Sequence, residues 1–240
     1  MENNIFQRHE VKYLVDSRQR ALVEQAFRMY MAPDPHGEST ICNVYYDTPD
    51  YRLIRRSLEK PVYKEKLRMR SYGTVADTDT VFLELKKKYM GVVYKRRIEL
   101  ADWQAEAYMD DRMPLLQDSQ IGREIDYFKS FYRNLEPAVY LCYDRSAYFS
   151  KTDPNLRATF DKNICWRTED MSLTAPSGGQ HLLLPRQSLL EIKTAGSIPM
   201  WLVQTLEAGE IRQASFSKYG EAYKSICREA YKERTGVLSA

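Results

Sequence analysis

Charged and apolar residues alternate along much of the chain, most clearly from Tyr63 to Tyr72, where the sequence reads YKEKLRMRSY. Successive side chains of a β-strand point to opposite faces. A strand here places one row of cations on one face, comprising Lys64, Lys66, Arg68 and Arg70. The other face carries Glu65, Leu67 and Met69. Taken alone, this pattern is typical of an antiparallel strand with one solvated side. Like charges at this spacing predict a face turned to water or to a polyanion.

The same alternation predicts seven further strands and several amphipathic helices. The strands lie at 5–15, 41–47, 80–88, 92–100, 138–148, 155–161 and 188–194. Helices are predicted after the N-cap residue Asp16, at 51–58, at 102–135 with Ser119 as a cap, after Pro199, and from Lys218. The sequence MAPDPHGE at 31–38 predicts a turn, and 168–187 predicts a long loop.

Two architectures fit strands that are charged on one face and apolar on the other. One is an open sheet with a wet face, and the other is a closed barrel with a charged interior. The helices favour the barrel, because their apolar stripes need an apolar partner and the outer strand faces supply it. The predicted fold is therefore α+β, with an eight-stranded antiparallel β-barrel (a tunnel) flanked by amphipathic helices. It is predicted to be a single domain over 1–240, ending in a helix from about 218.

Composition narrows the kind of site and the cell compartment. Charged residues make up 29% of the 240 residues, yet the formal net charge is only +3, which favours a local cationic site over a nucleic-acid binder. The N-terminus lacks a signal-peptide pattern and no window approaches a membrane span, so a cytoplasmic protein without a membrane segment is expected. Four scattered cysteines without a C-x-x-C spacing are expected to be reduced packing residues.

Convergence of the charged faces predicts a phosphate ligand. Many Lys and Arg side chains in a confined volume disfavour folding unless an anion compensates them. A linear polyphosphate is suitable, because it offers charge and acceptor oxygens along its length and arginine binds phosphate with two parallel hydrogen bonds. Carboxylates beside phosphate, such as Glu10, Glu84, Glu99 and Glu191, indicate a divalent metal. Ligands that are all oxygen favour Mg²⁺ or Mn²⁺.

Eight short motifs occur in an order that carries a family resemblance. They are RHEVKY, YYDT, LRMRSYG, FLELK, YDRSAY, LRATFD, LLEIK and FSKYG, between Arg8 and Tyr223. Together they resemble the VTC-type polyphosphate polymerase domain of the triphosphate tunnel metalloenzyme superfamily. The resemblance implies an eight-stranded antiparallel tunnel that binds nucleoside triphosphate and polyphosphate. Arg8 stands where hydrolytic tunnel enzymes usually have the first acid of an E-x-E-x-K motif, which resembles the polymerase branch.

Site residues follow partly from the resemblance and partly from strand facing. By motif match, phosphate-binding roles fall on Lys12, Arg68, Arg70, Lys86, Arg145, Arg157 and Lys218, and metal binding falls on Glu191. Strand facing adds Lys66, Lys95, Arg97 and Lys193 as phosphate ligands, and Glu84 and Glu10 as further metal ligands. Arg68, Arg70, Arg145, Arg157 and Lys218 are assigned the catalytic role of stabilising negative charge in the transition state. Tyr45, Tyr140 and Tyr148 are expected to pack, and Asp161 to pair with Arg157.

The predicted function is a phosphotransferase of the polyphosphate polymerase type, which moves the ATP γ-phosphate to a growing polyphosphate chain. One alternative is hydrolysis of tripolyphosphate or a nucleoside triphosphate in the same tunnel, with Glu84 orienting water. Another is a non-catalytic module that binds polyphosphate or single-stranded nucleic acid. The focal strand has no aromatic residue between its cations on the same face, which disfavours nucleic acid. No P-loop motif occurs, and protein partners stay open.

Overall fold

Nine strands and six helices occupy the residues that the computed structural model describes, which are 9–90, 92–115 and 118–236. The strands are β1 (His9–Val15), β2 (Met31–Asp47), β3 (Tyr63–Tyr72), β4 (Thr80–Tyr89), β5 (Val92–Ala101), β6 (Glu136–Ser150), β7 (Arg157–Arg167), β8 (Gln180–His181) and β9 (Ser188–Thr194). The helices are α1 (Ser17–Tyr30), α2 (Arg52–Leu58), α3 (Asp102–Met109), α4 (Gln120–Tyr132), α5 (Met200–Ala208) and α6 (Lys218–Thr235). Each strand predicted from alternation has a counterpart, and β8 is an addition within the predicted loop.

Helix starts follow the capping residues in the sequence. Asp16 accepts a hydrogen bond at its Oδ1 from the backbone N–H of Gln19 at 2.8 Å, and the Gln19 side chain accepts one from the Asp16 N–H at 3.1 Å. This reciprocal capping box satisfies two donors that the first turn of α1 leaves without a helical partner. Ser119 and Ser217 cap α4 and α6 through their hydroxyl oxygens. The predicted starts of these helices are confirmed.

The strands pair in the order β1-β9-β7-β6-β2-β3-β4-β5, and β8 pairs with β7. The pairs β1–β9, β9–β7, β3–β4 and β4–β5 are all antiparallel. An antiparallel sheet with helices packed against its strands is an α+β architecture, as predicted. Closure of the sheet into a barrel stays a prediction.

The chain divides into two compact units, each with its own core. The first unit takes its described residues from within Met1–Ile41, Cys142–Ile164 and Leu183–Ser215. In its core, Val23 and Phe27 of α1 and Leu202 of α5 pack with Phe160 of β7 and Ile192 of β9. The apolar sides of α1 and α5 are thus buried against strand residues of the same unit. The prediction of one domain over the whole chain stays a prediction.

The second unit takes its described residues from within Cys42–Leu141, Cys165–Leu182 and Phe216–Ala240. Its core includes Ile54 of α2, Val139 of β6, Trp166 of β7, and Tyr219 and Ala222 of α6. The two helices thus bury their apolar sides against strand residues in the same unit. Across the described residues, each helix is too short or too polar to cross a lipid bilayer.

Two predictions of element length are wrong. Residues 31–38 extend β2 instead of forming a turn. Pro33 and Pro35 stand two residues apart, so both lack an N–H on the same edge of the strand and the other edge can still pair. Residues 110–115 and 118–119 interrupt the helix predicted at 102–135, because Asp111 is left-handed with φ 57° and Pro114 follows.

Candidate functional site

One candidate site is the face formed by the even-numbered residues of β3 and their partners on β4 and β5, called the β3–β5 basic face. Across the three strands its rows are Lys64, Lys88 and Val93; Lys66, Lys86 and Lys95; Arg68, Glu84 and Arg97; and Arg70, Phe82 and Glu99. Leu67 and Met69 on the opposite face are only 0% and 1% exposed. The predicted division of β3 into a cationic and an apolar face is confirmed.

Glu84 is the carboxylate at the centre of this face, and its side chain is only 1% exposed. Arg68 donates from Nε at 2.8 Å and from Nη2 at 2.6 Å to Glu84 Oε2. Lys95 Nζ lies 2.5 Å from Oε1, and Arg70 Nε lies 3.7 Å from Oε2. Burial alone raises the pKa of Glu84, but the charges of Arg68, Arg70 and Lys95 outweigh it and lower the pKa to about 2. Glu84 is therefore ionised at neutral pH and orients the cations around it.

Two residues of β2 also accept hydrogen bonds from Arg68 and Arg70. The Tyr45 hydroxyl accepts a hydrogen bond from Arg68 Nη1 at 2.8 Å, and Asn43 Oδ1 accepts one from Arg70 Nε at 2.9 Å. Burial raises the pKa of Tyr45, but Arg68, Lys66 and Arg70 outweigh it and lower the pKa to about 8. Tyr45 packs in the core of the second unit, as expected, and its hydroxyl in addition binds a guanidinium. The sequence signal was its place two residues after Asn43 on one strand face.

The start of α6 lies beside the same face. Lys66 Nζ donates to the Ser217 hydroxyl at 3.3 Å and lies 5.6 Å from the centroid of the Tyr219 ring. Lys218 is the first residue of α6, between these two contacts. Tyr219 stacks on Tyr45 with ring centroids 4.8 Å apart. The predicted residue Lys66 therefore contacts Ser217 and Tyr219, which were missed from the sequence, and the predicted residue Lys218 stands between these two in the chain.

Asp47 of β2 is 0% exposed and accepts hydrogen bonds from residues of two helices, α2 and α6. Its Oδ1 accepts from the Leu53 N–H at 2.8 Å, and its Oδ2 accepts from the Ile54 N–H at 3.0 Å, at the start of α2. The Tyr219 hydroxyl donates to Oδ2 at 2.7 Å. Asp47 thus fixes Tyr219, which in turn packs on Tyr45.

A second candidate site lies within the first unit and surrounds Glu191 of β9. The strand register places Lys12 of β1 and Thr159 of β7 on either side of Glu191. Lys12 Nζ lies 3.3 Å from Glu191 Oε1, while Arg145 Nη2 and Lys193 Nζ lie 3.5 Å and 3.9 Å from Oε2. Glu191 is 5% exposed, so it is buried among three cations.

Arg145 is held most strongly by Asp161. It donates from Nε to Oδ1 at 2.6 Å and from Nη2 to Oδ2 at 2.7 Å. Burial disfavours the guanidinium charge, but Tyr143, Asp161 and Glu191 raise the pKa of Arg145 well above its ordinary value. Asp161 therefore pairs with Arg145 of β6 through two hydrogen bonds, and the expected pair with Arg157 stays a prediction.

Arg157 and Glu10 occupy the border of the Glu191 cluster. Arg157 Nη2 lies 3.9 Å from Asp34 Oδ2, and its guanidinium lies 4.5 Å from the Phe149 ring centroid. Glu10 contacts Lys12 at 3.2 Å and Lys193 at 3.7 Å. The first unit thus brings together the predicted residues Lys12, Arg145, Lys193, Glu191 and Glu10, and places Arg157 opposite Lys193 in the register.

Metal binding is a separate question from phosphate binding. Within the described part of the chain, no group of three or more His, Cys, Asp or Glu is arranged to hold a metal ion. Mg²⁺ commonly binds one or two carboxylates and takes its other ligands from water and substrate phosphates. All three predicted metal ligands contact cations in the structure: Glu191 contacts Lys12 and Arg145, Glu10 contacts Lys12 and Lys193, and Glu84 contacts Arg68 and Lys95. Metal binding through Glu191, Glu84 and Glu10 stays a prediction.

A comparison with protein families supports the resemblance carried by the sequence motifs. The family described as VTC domain matches residues 7–227 of the sequence. The chain belongs to the VTC domain family. Vacuolar transporter chaperone complex subunit 4 of Schizosaccharomyces pombe is 24% identical to this VTC domain over 155 residues. The alignment covers 55% of the chain and 21% of that protein, so the chain matches about a fifth of the relative's length.

Solved structures show which fold the VTC domain shares. A Bacillus halodurans protein provisionally described as an adenylate cyclase superposes with a TM-score of 0.53 at 14% identity, covering 88% of this chain and 95% of that one. A similarly described protein from Vibrio parahaemolyticus gives a TM-score of 0.49 at 11% identity, covering 90% and 97%. The likeness to the Bacillus halodurans protein establishes a common fold at very low identity. A common fold does not by itself show a common function.

Proposed function

We propose that this VTC domain is a phosphotransferase of the polyphosphate polymerase type, which transfers the γ-phosphate of ATP to a growing polyphosphate chain. The observation that carries the proposal is the row Lys66, Lys86 and Lys95 across three hydrogen-bonded strands, next to the row Arg68, Glu84 and Arg97. Family membership supports the same conclusion.

The energetic reason is that like charges directly opposite one another destabilise a sheet. Over β3, β4 and β5, which are described in full, the basic face carries eight cations and two carboxylates. The cations are Lys64, Lys66, Arg68, Arg70, Lys86, Lys88, Lys95 and Arg97, and the carboxylates are Glu84 and Glu99. A chain of phosphoryl groups offers one anionic unit after another along its length, and so compensates several cations at once.

Phosphoryl transfer requires positioning and charge neutralisation more than a covalent nucleophile. Glu84 and Tyr45 hold Arg68 in one orientation, so that its guanidinium is preorganised for a phosphate. In the first unit, Asp161 holds Arg145 in the same manner. In the proposed reaction, the terminal oxygen of the acceptor chain attacks the γ-phosphorus, the bond to the β-phosphate oxygen breaks, and ADP leaves. Mg²⁺ or Mn²⁺ held by Glu191 and Glu10 would neutralise phosphate charge.

The decisive experiment incubates the purified chain with ATP and Mn²⁺ and separates the products by gel electrophoresis. Growth of long polyphosphate chains is the expected result. Release of orthophosphate without chain growth would instead show a hydrolase, and tight tripolyphosphate binding without turnover would show a binding module. Either result overturns the polymerase proposal.

A matched pair of variants on β5 tests whether the basic face performs the chemistry. Arg97 lies on the face, and its neighbour Arg96 lies on the opposite side of the same strand with Leu85 as its partner. Arg97→Ala should lower the rate of chain growth by about tenfold or more, because an arginine contact to the bound triphosphate is lost. Arg96→Ala should leave the rate unchanged. Equal effects of the two substitutions would separate activity from this face.

A further inference from the structure

The β3–β5 basic face changes character along the strands. The row Lys66, Lys86 and Lys95 is wholly cationic, and the next row has Glu84 between two arginines. In the row after that, Phe82 lies between Arg70 and Glu99. Tyr72, at the end of β3, adds a second aromatic ring on the same side. The face therefore has a lysine end and an aromatic end, the latter formed by Tyr72, Phe82, Arg97 and Glu99.

The aromatic end is accessible and its side chains are already arranged around one another. Tyr72 is 57% exposed, and its ring meets Phe82 edge-on with centroids 5.8 Å apart. The Arg97 guanidinium lies 4.5 Å from the Phe82 centroid. Planar guanidinium groups and aromatic rings are the surfaces on which nucleobases stack. An exposed tyrosine beside a stacked arginine is thus suited to a flat heterocycle.

The Glu99 carboxylate makes the Phe82 row less favourable for a phosphate than for a neutral group. Glu99 directly opposes Phe82 in the register, and its side chain is 61% exposed. Arg70 in the same row is only 8% exposed and contacts Asn43 and Glu84, so the exposed charge of the row is the Glu99 carboxylate, to which the amino group of a base could donate. Same-face residues along a strand are about 7 Å apart, so Phe82 and Tyr72 lie about one and two such steps beyond the Arg68 row. The distance from the Arg68 row to these two rings therefore suits the ribose and base of a nucleotide whose triphosphate is bound at the arginines.

We propose that the aromatic end binds the base of the nucleoside triphosphate, with Tyr72 and Phe82 as specificity-determining residues. The inference rests on the proposed function and gives the substrate a direction on the face. The triphosphate lies over the Arg68 and Lys66 rows with its γ-phosphate towards the lysine end. The growing chain is accommodated at Lys64 and Lys88, beyond the lysine row.

Calorimetric titration of ATP and of tripolyphosphate into the same purified variants tests the inference, because only ATP carries a base. Tyr72→Ala should weaken ATP binding about tenfold and leave tripolyphosphate binding unchanged, since one base–aromatic stack is lost. Tyr72→Phe should retain the wild-type affinity for ATP. Phe82→Leu keeps apolar bulk without the ring and should reproduce the selective loss. Retained tripolyphosphate binding shows that each variant is folded.

The matched control is Tyr94→Ala, because Tyr94 is 41% exposed but pairs with Lys87 on the opposite face. It should change neither affinity. Glu99→Lys should strengthen tripolyphosphate binding several-fold, because it extends the cationic rows into the aromatic end. Equal weakening of ATP and tripolyphosphate by Tyr72→Ala, or no effect on either, overturns the inference while leaving phosphate binding intact. A wild-type chain that binds neither ligand overturns the proposed function, and this inference with it.

Discussion

Glu84 shows how a single carboxylate organises several cations. Its pKa of about 2 lies below the ordinary value of 4.5. The ionised form therefore stabilises the folded state fully above pH 4.5, and this contribution is lost as the pH falls towards 2. The size of the effect is on the order of 3 kcal/mol, because one pKa unit corresponds to about 1.4 kcal/mol. Acid should therefore weaken the second unit through this residue.

The corresponding prediction concerns Glu84→Gln at neutral pH. Removal of the charge leaves Arg68, Arg70 and Lys95 facing one another, so the free energy of unfolding should fall by about 3 kcal/mol in urea denaturation. Tripolyphosphate should raise the melting temperature of this variant more than that of the wild type, since phosphate replaces the missing anion. Glu99→Gln on the exposed rim serves as the control and should stay within about 0.5 kcal/mol of wild type. A stable Glu84→Gln variant that ignores tripolyphosphate would refute this role.

Tyr45 provides a spectroscopic report on the same charges. Because its pKa is lowered to about 8, ionisation of the phenol begins to stabilise the folded state near pH 8, does so fully above the ordinary pKa of 10, and adds nothing below pH 8. Ultraviolet absorbance should show a tyrosinate transition near pH 8 that Tyr45→Phe abolishes and Tyr94→Phe retains. Bound tripolyphosphate should move the transition upward, because it neutralises Arg68, Lys66 and Arg70. A transition that tripolyphosphate leaves unmoved would place the phosphates elsewhere.

At the scale of elements, Asp47 joins β2 to the first turns of α2 and α6. Asp47→Ala leaves the buried donors of Leu53, Ile54 and Tyr219 without their acceptor. Each unsatisfied buried donor costs about 1–3 kcal/mol, so the free energy of unfolding should fall by about 3 kcal/mol or more. Asp50→Ala is the control, because Asp50 is 63% exposed in the neighbouring turn. Urea denaturation that gives equal stabilities for the two variants would contradict this function of Asp47.

The lysine row predicts a trade-off between stability and binding. Lys86 lies between Lys66 and Lys95, whereas Lys87 points to the opposite face and contacts Glu124 at 3.5 Å. Lys86→Gln removes like-charge repulsion across the strands and should raise the free energy of unfolding by about 0.5 kcal/mol. The same change should weaken tripolyphosphate binding several-fold, as measured by calorimetry. Lys87→Gln should have the opposite pattern, with slightly lower stability and unchanged binding.

Strand faces were predictable because the side-chain period of a strand is two, so one correct assignment fixes every residue on it. This is why the strand faces that carry Arg68 and Glu191 follow from alternation in the sequence alone. Partners across strands were less predictable, since Asp161 pairs with Arg145 through register and not through sequence distance. Tyr45 was missed because a tyrosine at a buried strand position is typical of a core. The long β2 was missed because proline usually indicates a turn.

The whole molecule combines a strongly basic face with a nearly neutral total charge. Its 36 Lys and Arg are offset by 33 Asp and Glu, so the long-range field attracts polyanions only weakly, and selectivity must come from the local rows. A polynucleotide also needs a stacking partner for every base. Aromatic rings occur on the β3–β5 basic face only at Phe82 and Tyr72, which suits one base and not a strand of them.

Because the basic face has so few aromatic rings, the chain should distinguish polyphosphate from nucleic acid. In competition measured by fluorescence anisotropy at physiological salt, tripolyphosphate should displace a labelled polyphosphate, and a single-stranded oligonucleotide should be at least about tenfold weaker. Rising salt should weaken polyphosphate binding steeply, because several cations contact the ligand together. Arg97→Ala should reduce that salt dependence, whereas Arg96→Ala on the other face should preserve it. If the oligonucleotide competes as well as tripolyphosphate, the basic face is a general polyanion surface, and geometry that selects phosphate chains is not its basis.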